Sequence, residues 1–116
     1  MKGAVAYHGG HAAEDQVSAD YERRGYSVAA RCWRGPGGEI DLIFRKARAV
    51  TFVEVKRART HALAAERVSA RQQARIMASA SAFLAGEPSG QDTETAFEVA
   101  LVDAQGRIEI VSNAFV

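Results

Sequence analysis

The sequence predicts a single α/β domain, a mixed sheet flanked by helices in the order αβββαββ. Three observations predict it. The chain has 116 residues, 47% hydrophobic and 25% charged, which fits one globular domain and argues against disorder. Five short segments read as strands, by two-residue alternation or by enrichment in β-branched and aromatic residues. Two longer segments carry helical spacing, one ahead of the strands and one between the third and fourth. A helix joining two strands implies a parallel, right-handed crossover, and two helices can cover both faces of one sheet.

Residues 1–11 are Gly-rich and read as a flexible N-terminus, leaving 12–116 as the domain. Ala12 to Arg24 reads as a helix with Glu14, Val17 and Tyr21 on one face and Gly25 as its stop. Tyr26 to Trp33 reads as a strand interrupted by Arg31, and residues 34–38 are turn chemistry. Glu39 to Phe44 alternates, with Ile40, Leu42 and Phe44 on one face and Asp41 and Ile43 on the other. A charged turn over 45–48 leads to Ala49–Lys56, the strongest strand, rich in Val, Thr and Phe. Residues 57–68 read as a loop. Ser69 opens the second helix with a Ser-x-x-Gln box to Gln72, and an inner stripe follows from Gln73 through Ile76, Met77, Ala80, Phe83 and Leu84. A polar loop over 86–95 precedes strands at Phe97–Val102 and Arg107–Val111, joined by an Asp103–Gly106 turn.

Composition excludes several classes. Cys32 is the one cysteine, so neither an internal disulfide nor a multi-cysteine zinc site can form, and a reducing cytoplasm is the expected setting. The uncharged stretch Ile76–Gly86 is far short of the ~20 residues of a membrane span, and the first residues lack the apolar run of a signal peptide. No membrane association is expected. The net charge of +1 conceals a strong asymmetry. Residues 23–75 hold thirteen Lys or Arg against four Asp or Glu, whereas the rest holds two against ten. Such a basic segment is either a polyanion site or a surface whose charges interleave with the acidic ends.

Asp41, Glu54 and Lys56 carry the candidate chemistry. Glu54 and Lys56 share one face of the third strand, and a hairpin through the 45–48 turn brings Asp41 beside Glu54. Charges among Ile40, Leu42, Val53 and Val55 need pairing or coordination. Paired carboxylate oxygens suit Mg²⁺, or Mn²⁺, and such a cation acidifies water and polarises a phosphoryl oxygen. Lys56 would then orient the water or neutralise phosphate charge. The alternative is an Asp/Glu–Lys salt bridge without metal.

The run Gly38-Glu39-Ile40-Asp41-Leu42-Ile43, followed by Phe52-Val53-Glu54-Val55-Lys56, resembles the signature of the bacterial YraN family (UPF0102). That nuclease-like family is similar to the PD-(D/E)xK superfamily of restriction endonucleases and Holliday junction resolvases. The Gly10–Tyr26 segment, the Gln72–Leu84 helix and the Ser112-Asn113-Ala114-Phe115 tail also resemble family segments. The resemblance implies a restriction-endonuclease-like fold and metal-dependent hydrolysis of DNA, possible substrates being branched or structured DNA. It casts Asp41 and Glu54 as metal carboxylates, Lys56 as the catalytic lysine, Val55 as a backbone-carbonyl ligand, Glu14 as a further acid and Gln73 as a supporting glutamine. Apart from the resemblance, Glu14 also reads as a first-turn acid favoured by the helix dipole, and Gln73 as a boundary residue. A resolvase-like role implies a homodimer. Departures from the family pattern include Ala13, Gln72 and Glu98, and the 57–61 segment.

Arg34, Arg45, Lys46, Arg57, Arg59, Arg71 and Arg75 are candidate phosphate contacts. Trp33 either stacks on a base or packs a strand end, with packing favoured. His8, His11 and His61 are too scattered for a metal motif. A catalytically inactive nucleic-acid-binding module of the same fold is the alternative function, and a protein-interaction domain is a third.

Overall fold

The computed structural model describes residues 2–115, with side chains described from His11 onward. Its elements are α1 (Lys2–Arg23), β1 (Ser27–Gly35), β2 (Gly38–Lys46), β3 (Ala49–Arg57), α2 (His61–Ala65), α3 (Ala70–Leu84), a 3-10 turn (Gly90–Asp92), β4 (Thr95–Val102) and β5 (Ile108–Val111). The side chains of residues 2–10, which include His8 and most of the expected flexible N-terminus, lie outside the described residues.

The five strands form one mixed sheet in the order β1-β2-β3-β4-β5. β1, β2 and β3 are a continuous antiparallel run, β3 and β4 are parallel, and β4 and β5 are antiparallel. The parallel pair follows from α3 lying between its two strands in the chain. The α/β class and the mixed sheet are as expected, and the strand order is consistent with a nuclease-like fold.

Each helix covers one face. Ala13, Val17 and Tyr21 of α1 pack on Leu42, Phe44, Val53, Val55, Ala100 and Val102. Ile76, Ala80 and Leu84 of α3 pack on Ile40, Ile43, Val50 and Phe52 from the opposite side. α1 ends where Gly25 takes φ +92°, a conformation that costs glycine little. α3 begins with the Ser69 hydroxyl accepting the Gln72 N–H at 3.1 Å.

Three expectations are corrected. The 57–68 loop contains α2, whose Thr60 cap accepts the Leu63 N–H at 3.2 Å. Five residues are too few to show a helical period, and burial of Ala64 against Val99 and Leu101 supports the turn. The inner stripe of α3 runs through Ile76, Ser79, Ala80 and Leu84, while Met77 is 47% exposed. The stripe is rotated because Ser79 is fully buried beneath the β1–β2 turn.

The third correction concerns alternation in β1 and β2. Leu42 and Phe44 face α1, but Ile40 faces α3 alongside Ile43. β1 makes the same switch: Arg31 reaches Asp15 of α1 at 2.8 Å, yet Trp33 packs on the α3 side. The pairings Arg31↔Leu42 and Trp33↔Ile40 place Cys32 across from Asp41, at the step where both strands change face. Cys32 adopts φ +48°, a left-handed backbone that breaks period two. The β2–β3 ladder also stops there, its last pair being Leu42↔Val53.

Candidate active site

The end of the β2–β3 ladder creates the site. Beyond Leu42↔Val53, side chains replace the missing backbone partners. The Asp41 N–H donates to Glu54 Oε1 at 3.3 Å, and the Val55 N–H donates to Asp41 Oδ2 at 2.8 Å. These reciprocal bonds hold the two carboxylates together. Lys56 Nζ lies 3.5 Å from Glu54 Oε2, and the Gln72 amide donates to the same oxygen at 3.0 Å. Glu54 is 4% exposed, while Asp41 is half-buried.

Its electrostatics are unfavourable for two negative charges. Burial pushes the Glu54 carboxyl up to about 7, and the Asp41 charge adds to the rise while Lys56 opposes it. Burial also pushes Asp41 up, against the lowering effects of the Val55 and Glu54 hydrogen bonds and of Lys56. One ammonium is insufficient to settle both carboxylates.

Glu14, expected as a further acid, stands on α1. Its Oε2 is buried without a hydrogen-bond partner among the described residues. Burial raises the Cys32 thiol above its ordinary range, and the carboxylates of Glu39, Asp41 and Glu14 raise it further. Glu14 and Asp41 therefore both act on Cys32, the thiol at the switch point.

These residues fit a hard divalent cation. Oxygen donors from Asp41 and Glu54 match the preference of Mg²⁺ or Mn²⁺ for carboxylate and water. Among the described residues no group of three or more His, Cys, Asp or Glu side chains could hold a metal ion. A one- or two-carboxylate Mg²⁺ site keeps several waters and does not require such a group. Val55 meets Asp41 through its N–H.

Gln72, rather than Gln73, reaches the site. Gln73 lines a cleft with Ala65, Val68, Val99, Leu101, Val111 and Ala114. The same rotation that exposes Met77 aims Gln72 at Glu54. The Ser-x-x-Gln signal had assigned Gln72 to the cap. That cap is half made, because its side chain turns to the carboxylate instead.

The proposed phosphate contacts divide. Arg45 is held by Glu87 at 2.7 and 3.0 Å, and Lys46 donates to the Arg24 carbonyl at 3.0 Å. Both stand at the hairpin tip, and Arg45 pairs with Val50, four residues and so about 13 Å along β3 from Glu54. They are thus not brought to the site. Arg34 lies 3.7 Å from Glu39. Arg57 and Arg59 follow Lys56 at the exit of β3, and Arg71 and Arg75 stand one turn apart on α3, exposed. Trp33 packs edge-on against Phe83. His11 Nδ1 lies 4.0 Å from Cys32 Sγ, and His61 Nε2 lies 2.9 Å from the Arg107 carbonyl. No described helix is long and apolar enough to cross a membrane.

Comparison with known proteins places the chain in a family. The model of the "Uncharacterised protein family UPF0102" matches residues 13–112, which span every site residue. A UPF0102 protein of Cereibacter sphaeroides is 57% identical over 115 residues, covering 99% of this chain and 98% of its own. One from Ruegeria pomeroyi is 58% identical over 106 residues, covering 91% and 86%. One from Dinoroseobacter shibae is 39% identical over 112 residues, covering 97% and 84%. With the match spanning the sheet, both covering helices and the carboxylate pair, the chain belongs to the family UPF0102.

Proposed function

We propose that the chain is a Mg²⁺-dependent endonuclease that hydrolyses phosphodiester bonds in DNA, including branched or otherwise structured DNA. The observation that carries this reading is the pairing of buried Glu54 with half-buried Asp41, locked by reciprocal hydrogen bonds and flanked by Lys56. A salt bridge alone leaves one carboxylate uncompensated and pushes both acids upward. A cation removes that penalty.

Asp41 and Glu54 would hold the Mg²⁺, with Mn²⁺ as a substitute, and Glu14 and the Val55 carbonyl would complete its protein contacts. The chemistry the cation supplies is a more acidic water and a polarised phosphoryl oxygen. Lys56 would orient the attacking water and offset negative charge as the new P–O bond forms and the ester P–O bond breaks. Gln72 fixes the Glu54 carboxylate from α3, and the Val55 N–H fixes Asp41. Symmetric cutting of two strands would require two copies of the chain.

The test is incubation with Mg²⁺ and a four-way junction, a duplex or a single strand. Asp41→Ala and Lys56→Ala are expected to lower cleavage by at least about 100-fold. Gln72→Ala should lower it about 10-fold, while Gln73→Ala stays at the wild-type rate. Cleavage that survives Asp41→Ala, or that needs no divalent ion, would refute the assignment.

A further inference from the structure

We infer that the site is served by a phosphate track around the C-terminal end of β3 that grips double-stranded nucleic acid through its backbone alone. This rests on the nuclease reading and adds the form of the substrate and the face that binds it.

The first observation is a partition of the arginines. Six lie against carboxylates, among them Arg31 on Asp15, Arg45 on Glu87 and Arg107 on Asp103. Arg57, Arg59, Arg67, Arg71 and Arg75 are all exposed and make no side-chain ion pair or hydrogen bond to any described residue. These five are not scattered. Arg57, Arg59 and Arg67 line one open cleft of about 430 Å³ with Ala58 and Ala104. Arg71 adjoins Gln72, whose amide touches Glu54, and the Arg75 backbone abuts the β1–β2 turn at Gly37. The five therefore border the C-terminal end of β3, where Arg57 also lines a cleft with Ala12, Ala13 and Gln16 of α1. At the hairpin tip Arg48 pairs with no carboxylate among the described residues, beside the neutralised Arg45. Unpaired like charges raise the energy of the free surface, and a polyanion relieves that cost.

The second observation concerns the aromatic rings. Single-strand binders stack bases on exposed aromatic side chains. Every described aromatic ring is instead engaged with another: Tyr21, Tyr26 and Phe44 form one group, and Trp33, Phe83, Phe52, Phe97 and Phe115 form a chain. With no unengaged ring among the described residues to stack on, affinity comes from phosphate contacts, and a duplex presents the denser line of phosphates. Backbone contacts also carry no direct sequence information.

Fluorescence anisotropy in EDTA, with a short duplex and either of its strands, tests this over a series of KCl concentrations. The duplex should bind at least about 10-fold more tightly than either strand, because the strand lacks both stacking and charge density. Two unrelated duplex sequences should bind alike. Five phosphate contacts give a slope of log K against log salt of about −4.5. Arg57→Ala/Arg59→Ala and Arg71→Ala/Arg75→Ala should each reduce that slope by about 1.8, whereas Arg45→Ala leaves it unchanged. Tighter binding to single strands, a strong sequence preference, unaltered slopes in both double variants, or tighter binding to phosphatidylglycerol vesicles would each overturn the inference. Cleavage of the same duplex in Mg²⁺ is scored separately. Duplex binding with the expected slopes but no cleavage refutes the hydrolytic reading and upholds the track. Cleavage together with a single-strand preference does the reverse.

Discussion

Replacing Glu54 with glutamine should change how stability depends on pH, and in a direction opposite to that of most carboxylates. The Glu54 carboxyl rises from about 4.5 to about 7 in the fold, chiefly through burial and then through Asp41. Between those pH values the folded chain holds a proton that the unfolded chain has released. The stabilising contribution is therefore complete below pH ~4.5 and lost as pH rises through ~7. A gap of roughly 2.5 pH units corresponds to about 3 kcal/mol. Glu87 and Asp103 shift downward, so their contributions are lost at lower pH, outside this window. The amide introduced by Glu54→Gln would keep an oxygen for the Asp41 N–H but could not ionise. It would also leave Lys56 without its partner at 3.5 Å, which offsets part of the gain. Urea unfolding in EDTA from pH 5 to pH 8 should show wild type losing stability more steeply than Glu54→Gln. At pH 8 the variant should be the more stable by about 1–3 kcal/mol. Adding Mg²⁺ at about ten times its dissociation constant should restore about 1.4 kcal/mol to wild type and nothing to the variant. Parallel pH profiles for the two proteins would refute the argument that Glu54 is buried against a second negative charge.

Three further substitutions test what holds the site in place. Tyr21→Phe deletes the buried hydroxyl that donates to Glu98 Oε1 at 2.6 Å, while leaving the ring stacked on Phe44. It should cost about 1.5–3 kcal/mol in urea unfolding, and a double-mutant cycle with Glu98→Gln should recover most of that as coupling. Gly37→Ala would drive a methyl group into the Arg75 backbone carbonyl, at the point where the Ser79 hydroxyl accepts the Gly37 N–H at 3.0 Å. It should lower stability by at least about 3 kcal/mol. Ser79→Ala, which leaves the Gly37 N–H unpaired, should lower stability by about 1–3 kcal/mol.

Several features were legible because they are local. Gly25 stops α1 and Ser69 caps α3, each through its own backbone or side chain. Alternation and β-branched residues mark β3, and Glu54 and Lys56 two residues apart must share its face. The motif around Asp41, Glu54 and Lys56 was sufficient to indicate the family. The helix between β3 and β4 required a crossover, and the pair is parallel.

What tertiary structure decided depends on groups distant in sequence. Local alternation placed Ile40 with Leu42, but the left-handed Cys32 across from Asp41 turns both strands over and ends the ladder. That break lets Asp41 and Glu54 satisfy each other's strand, which no periodicity encodes. Helical spacing could not distinguish Gln72 from Gln73, because their directions differ by one residue's rotation and the anchor is Ser79 under a turn some forty residues earlier in the chain. The basic segment was visible in the sequence, but its division was not. Arg45 finds Glu87 across the fold, while Arg57, Arg59, Arg67, Arg71 and Arg75 find no carboxylate among the described residues. Composition and local pattern determined which groups the chain owns and the elements that carry them. Long-range packing determined which charges are neutralised, which are buried and which face solvent, because each depends on neighbours that only the closed fold supplies.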